Sequence, residues 1–549
     1  MNKIIQAQSQ WDLDRLYPQE QNFTFSIETI ERLKIEYKAT KDSVILSQLI
    51  QAIEKAEYYL YCRAAEDEKH PENTLLSVKV NQLKKEVQLL IESSKGQSVN
   101  TNHSSIKLIE NELKAWEDMY IQLRNKLEIT HDKETLSFGQ ANYVAMNSDD
   151  HNERSKVFDS LTNTLNKEKE IFATVLNQIG RLRHAKSDEM EGTEILKQSL
   201  QANGISETAL SQMWNATEQN LTKLVIALNG YKKGKNSITW YELMTWKESN
   251  ETVIPFSVAV KNIYDALKNI DEELAQFAQN AIANGWIDAE PRDNKPPGGF
   301  CAPFFSEKES RISLRYDGTI DSVRVLAHEL GHAWHFYVMS LEQSTSFLDD
   351  YLSMSTAESA SIFFETVIMN YLIQTTDCVE MKKSLLSWKI RNSFNYVMAI
   401  RASFQFEKKF YEECKEGPLS ADEIEELSIA AQEKAYGNAL TEYQPFVWMK
   451  YVQFYIADVP FYNYPYTFGY LASFSLIEIA KENKNKNKNK NKNKNAFHLR
   501  YKEFLRETGK APVEELMKKH FDIDLTDYEF WNKAFMQIHK DIDEYLQIN

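Results

Sequence analysis

Glycine and proline are scarce, 16 and 12 in 549 residues, about half of the roughly 7% and 5% found in average proteins. A chain with so few helix breakers is not a turn-rich one, and a mainly α fold of long helices is expected. Only four cysteines occur, Cys62, Cys301, Cys378 and Cys414, too dispersed for a zinc knuckle or redox pair and too few for a disulfide scaffold. They fit a reducing, cytoplasmic setting. Basic residues are outnumbered, 64 Lys and Arg against 80 Asp and Glu, for a net charge of -16 and a pI near 5.4. Nucleic acid as a main partner is thereby excluded, because phosphate binding needs a basic footprint. Long apolar runs are missing as well. The first residues hold no apolar core of the 7 to 15 residues typical of a secretory signal. The stretch Ser361 to Ile373 is interrupted by Glu365 and Asn370, short of the roughly 18 apolar residues of a membrane span. No membrane association is expected, and nothing in the sequence sets an oligomeric state.

What is present is helical periodicity. From Phe23 to Leu228 apolar residues recur at spacings of three and four, as in Ile27, Ile30, Leu33, Ile35 and Tyr37, or Leu83, Val87, Leu90 and Ile91. Such spacing predicts stacked amphipathic helices whose apolar stripes pack together. The composition changes at Pro291 to Gly299, PRDNKPPGG, which marks a loop. Phe300 to Phe304 and the alternating Arg311 to Tyr316 then predict a small hairpin. Asp317-Gly318 makes a turn, and Thr319 or Asp321 caps a helix with its body at Val323 to Met339. Lys484 to Asn495 is six Lys-Asn pairs, a tract that cannot bury an apolar face and is expected to be a solvated, disordered loop.

The helix after that turn carries His328-Glu329-Leu330-Gly331-His332. Histidines four apart on a helix project from one face, near enough for their nitrogens to share one ion. Glu329 stands beside that clamp, placed to take a proton from attacking water rather than to ligate. Chance alone yields such a pattern in roughly two sequences per hundred of this composition. The neighbours Leu326, Ala327, Leu330, Ala333 and Trp334 predict burial, where these three polar groups are costly without an ion. Histidines merely hydrogen-bonded in a core are the plainer alternative.

A catalytic zinc takes three protein ligands and keeps one position for water. His335 could share the face of His332, but a carboxylate from another helix completes a tetrahedral site with less strain, and Glu358 is the expected ligand. It opens the apolar stretch TAESASIFFETVIMNYLI, read as a buried helix capped by Ser355 or Thr356. Glu365, two turns further on the same face, is placed to orient a ligating imidazole through its second nitrogen.

HELGH followed by Glu358 in A-E-S-A-S resembles the oligoendopeptidase F-like branch of the thimet oligopeptidase group of zinc peptidases. The likeness runs nearly end to end. It takes in Trp11-Asp12-Leu13-Asp14, Gly299-Phe300-Cys301, FYNYPYTFGY at Phe461 to Tyr470, and LTDYEFW at Leu525 to Trp531. It implies an elongated multi-helix molecule with a deep central substrate channel and a small β-hairpin next to the zinc helix. The domains implied are an N-terminal helical one over residues 1–195 and a zinc-peptidase catalytic one over residues 196–549. The activity implied is cleavage of internal bonds in short peptide substrates, with one Zn2+ per chain. Tyr462 and Tyr466 are implied as hydrogen-bond donors to the developing oxyanion, and Gly298, Gly299 and Phe300 as a segment that pairs with peptide backbone. Aromatic packing is the other reading of the tyrosines. The sequence departs from the family at Gln453, in Gln453-Phe454-Tyr455, where relatives commonly carry His. Glutamine donates a hydrogen bond but cannot bring the positive charge of an imidazolium. A metallocarboxypeptidase or dipeptidyl carboxypeptidase on a similar scaffold, and a peptide-binding relative of low activity, are the competing functions.

Overall fold

The structure is a computed structural model that describes residues 9–17, 20–66, 71–94, 101–132, 134–148, 150–231, 238–245, 253–292, 295, 298–341, 353–487 and 497–548. Helices dominate these residues, with one two-stranded hairpin and one three-stranded sheet, so the mainly α expectation holds. The chain separates into two compact units that alternate along the sequence. The first comprises Met1–Ser98, Asn250–Leu385 and Gly469–Leu525; the second, Val99–Ser249, Leu386–Phe468 and Thr526–Asn549. The expected sequential boundary at residue 195 falls inside the second unit. Among the described residues no helix is long and apolar enough to cross a membrane.

The first unit begins with helices Glu20–Thr40, Ser43–Glu66 and Pro71–Ser94. Their apolar stripes form one core: Ile27, Ile30, Leu33 and Tyr37 meet Leu49, Ile53, Ala56 and Leu60, with Leu83 and Val87 behind. Ile35 is the exception, 68% exposed, because it stands two positions from Leu33 and so lies off the stripe. The core extends onto Ala302 and Phe304 of strand Gly299–Phe304.

That strand pairs antiparallel with Glu309–Leu314, Gly299 opposite Leu314 and Phe304 opposite Glu309, which is the expected hairpin. Ile287–Asp288 adds a parallel strand on the other side of Glu309–Leu314. The segment around Trp11-Asp12-Leu13 is a strap on this sheet. Its backbone bonds to Gly285 and Ala289 at 2.7 Å each, Trp11 Nε1 donates to Glu66 at 2.7 Å, and Arg311 Nε donates to the Asp12 carbonyl at 3.1 Å.

The HELGH helix spans Ile320–Met339, its N-cap Thr319 accepting from the Ser322 N–H at 3.2 Å. Of the two expected caps it is Thr319 that serves, itself held by Asp317 at 2.7 Å. The next helix, Met354–Thr375, has Ser353 as its N-cap, not Ser355 or Thr356. Those two lie buried within the first turn and bond to the Ser353 hydroxyl at 3.0 Å each, so Ser353 takes the cap position without a side-chain bond to a helix N–H.

The second unit is organised on the 39-residue helix His151–Glu189, capped by Asp150, which buries Val157, Leu161, Leu165, Phe172, Leu176 and Ile179 at helical spacing. A wide helical turn at Phe394–Ala399 leads into helix Ile400–Cys414, and Tyr528–Ile548 closes the chain. Within the Lys-Asn tract, helix Tyr464–Asn487 continues through the first two pairs, so the expected loop does not begin at Lys484. Lysine and asparagine carry no helix-breaking ring, and a preceding helix extends into them. Residues 488–495 lie outside the described residues.

Candidate metal centre and tyrosine pair

The two helices that carry the metal-ligand candidates approach closely because Gly331 has no side chain. A Cβ there would sit 2.7 Å from both the Ala360 carbonyl oxygen and Ser361 Cα, distances that no methyl group tolerates. The approach brings Glu358 over His328 and His332. Glu358 Oε2 lies 3.5 Å from His328 Nε2 and 3.9 Å from His332 Nε2. The two imidazole nitrogens are 3.1 Å apart, and one donor atom from each of the three residues falls within 4.8 Å of the others. The side chains are only 17, 15 and 12% exposed, so their desolvated donors face one another.

The surroundings set the direction of those donors. His328 Nδ1 is 2.5 Å from Glu365 Oε1, which places a ring proton on Nδ1 and turns Nε2 toward the cluster. Arg324 also bonds Glu365, at 3.1 Å, and Asp321, at 2.9 Å. The Ser361 hydroxyl donates to Glu358 at 3.0 Å. Neither Arg324 nor Ser361 emerged from the sequence reading. Arg324 lies one turn before His328 on the same face and Ser361 three residues after Glu358, which is the only local signal for them.

Burial opposes protonation of His328, but Glu365, Glu358 and Glu329 outweigh it and carry the pKa up to about 9. His332 moves the other way, well below its usual value, through burial and the neighbouring His328 charge. Burial pushes the Glu329 carboxyl up to about 7, against the opposing pull of His328, which suits a base working near neutrality. His335 has no part in the cluster. It is fully buried and its Nε2 meets the Thr508 hydroxyl at 2.6 Å.

Gly299 stands beside Glu329, with no room for a side chain. A Cβ at this position would lie 2.8 Å from Val325 Cγ1, 2.9 Å from the Ser313 carbonyl oxygen and 3.1 Å from Glu329 Cγ. Gly298 and Gly299 are exposed, and Phe300 is half-buried against Tyr61 with ring centroids 4.6 Å apart. Since Gly299–Phe304 lies at the edge of its sheet, its outer backbone groups face away from the hairpin partner.

In the second unit Tyr462 precedes helix Tyr464–Asn487 and Tyr466 lies in its first turn, both half-buried, with hydroxyls 3.4 Å apart. Pro465 is accommodated because the first turn needs no N–H from it. Tyr464 points elsewhere: it is buried and donates to the Ser199 carbonyl at 3.2 Å. Gln453 is half-buried on the single turn Val452–Phe454.

Two imidazoles and a carboxylate converging from two helices form the nitrogen and oxygen donor set that zinc accepts, and Glu329, a second buried carboxylate, is next in sequence to His328. The comparisons narrow the class. Residues 256–537, just over half of the chain, match peptidase family M3. The chromosomal oligoendopeptidase F of Lactococcus lactis subsp. cremoris is 23% identical over 431 residues, covering 77% of this chain and 67% of that protein. A solved structure from Chlamydophila abortus shares the fold with a TM-score of 0.79 at 19% identity over 99% of both chains. The oligoendopeptidase F of Enterococcus faecium does so with 0.62 at 15% identity, over 98% of this chain and 99% of that one. The chain belongs to peptidase family M3.

Proposed function

We propose that this peptidase is a zinc-dependent endopeptidase that hydrolyses internal bonds of short peptides. The observation that carries the reading is the meeting of His328, His332 and Glu358 around one point. These three residues would hold the ion. When bound, zinc would supply Lewis acidity there.

The chain's own groups do the rest. Glu329, with its pKa raised to about 7, takes the proton of the attacking water and returns it to the leaving amine. Glu365 keeps the His328 ring turned by its hydrogen bond. Tyr462 and Tyr466, on the family likeness, donate hydrogen bonds to the oxyanion, each worth about 2.7 to 4 kcal/mol by analogy with other oxyanion holes. Gly298 to Phe300 offer an exposed strand edge to the peptide backbone. A cytosolic location fits the four free thiols.

The test is an internally quenched peptide blocked at both ends, with products identified by mass. Internal cleavage supports the reading; cleavage only of peptides with a free C-terminus would establish a carboxypeptidase instead. Gln453 is the one observation that favours a second reading, a peptide binder with little turnover: zinc content together with intact peptide would establish it.

A further inference from the structure

Phe461 has a backbone φ of 54°, in the left-handed region that a bulky residue adopts only where its surroundings impose it. A buried polar cluster meets the backbone there. The Phe461 N–H donates to Glu407 Oε1 at 2.8 Å. The same oxygen accepts from the Tyr411 hydroxyl at 2.9 Å and lies 3.4 Å from Arg183 Nη1. Arg183 also donates from Nη1 to the Tyr411 hydroxyl and from Nη2 to the Ile456 carbonyl, the latter at 2.5 Å. The Phe461 ring packs on Phe404 and Tyr411, with centroids 5.4 and 5.5 Å away.

Arg183 and Glu407 are 3 and 4% exposed. A buried ion pair contributes little net stability, because desolvation offsets the attraction, and its better-attested use is to specify one conformation among several. Burial holds the Glu407 carboxyl up at about 7, against Arg183 and the Phe461 N–H, so the group sits in an interior that does not favour its charge. The chain runs from Phe461 directly into Tyr462.

We propose that the Arg183–Glu407–Tyr411 cluster is a positioning device that holds Phe461 in its left-handed conformation and thereby fixes where the Tyr462 side chain leaves the backbone. Its consequence for turnover rests on the reading of Tyr462 as an oxyanion donor; the positioning itself does not. Arg183 and Glu407 are separated by 224 residues and touch no reacting atom in this account. They are positioning residues.

Glu407→Leu alone would strand a buried guanidinium and risks unfolding. The informative variant is therefore Arg183→Met with Glu407→Leu, which removes both charges while Phe461 loses its acceptor. Glu407→Gln is the conservative control, since its amide oxygen still accepts from Phe461. In the full-length zinc-loaded protein, 3-fluorotyrosine at position 462 reports the side-chain environment by 19F NMR. We expect one sharp resonance in wild type and Glu407→Gln, and a broadened or split one in the double variant. Turnover should fall on the order of 10- to 100-fold in the double variant, with KM nearly unchanged, and the loss should vanish in a Tyr462→Phe background. An unchanged, sharp resonance in a folded double variant overturns the positioning role. A perturbed resonance with normal turnover in both the double variant and Tyr462→Phe upholds the positioning role and removes Tyr462 from the chemistry.

Discussion

His328 and Glu365 are joined by a 2.5 Å contact between Nδ1 and a carboxylate oxygen, with Glu365 in turn held by Arg324 at 3.1 Å. The carboxylate holds a proton on Nδ1 and so turns Nε2 toward His332 and Glu358. Replacing Glu365 by Ala removes that hold and leaves Arg324 beside an uncompensated site. Zinc affinity, measured by competition with a chromogenic chelator, should fall about 10- to 100-fold. Glu365→Gln, which still accepts a hydrogen bond, should lose less.

Gly331 explains why the two helices with the candidate ligands meet so closely. Gly331→Ala would drive a methyl group to 2.7 Å from the backbone of Ala360 and Ser361. The expected loss of stability is about 1 to 3 kcal/mol, read as a lower denaturation midpoint. Because Glu358 moves with its helix, zinc affinity should drop as well. A variant with wild-type stability and wild-type metal content would show that the helices can separate without consequence.

His335 gives a pH signature. Burial depresses its pKa to about 4, below the roughly 6.5 of an unfolded histidine. Between those values the unfolded chain binds a proton that the folded one refuses, so this contribution to stability is complete above about 6.5 and lost as pH falls toward 4, at about 1.4 kcal/mol per pH unit. His335→Gln keeps a donor for Thr508 and does not titrate. Comparing urea midpoints of the two proteins from pH 7 to pH 4 should show a shallower decline for the variant; parallel curves would mean that His335 charges in place.

By the family resemblance of the sequence, Gln453 takes the place of a histidine. If that position supplies positive charge to the transition state, Gln453→His should raise kcat and add a titration near the ordinary histidine range to the pH-rate profile. An unchanged profile would remove that role from position 453.

The parts of the site that lie on one helix were legible in the sequence, because helical spacing converts position into direction. His328, Glu329 and His332 are one such set, and Glu358 with Glu365 another. The hairpin showed through its alternation, and Thr319 through its place after Asp317-Gly318. What escaped depended on partners distant along the chain. Nothing local to Gly331 announces that Ala360 will press on it, nothing local to Glu407 announces Arg183, and nothing around residue 195 shows that three segments far apart along the chain make up each compact unit. The cap at Ser353 was missed for the opposite reason: Ser353, Ser355 and Thr356 are chemically equivalent caps, and packing chooses among them.

In the proposed mechanism Glu329 moves the proton while His328, His332 and Glu358 hold the ion. Glu329→Gln separates those roles, because the amide nearly matches the carboxylate in size but cannot take a proton. Zinc content by mass spectrometry and hydrolysis of an end-blocked peptide, measured on the same preparation, test it most directly. One zinc per chain with turnover reduced about 10²- to 10⁴-fold is expected. Full zinc with undiminished hydrolysis would contradict it.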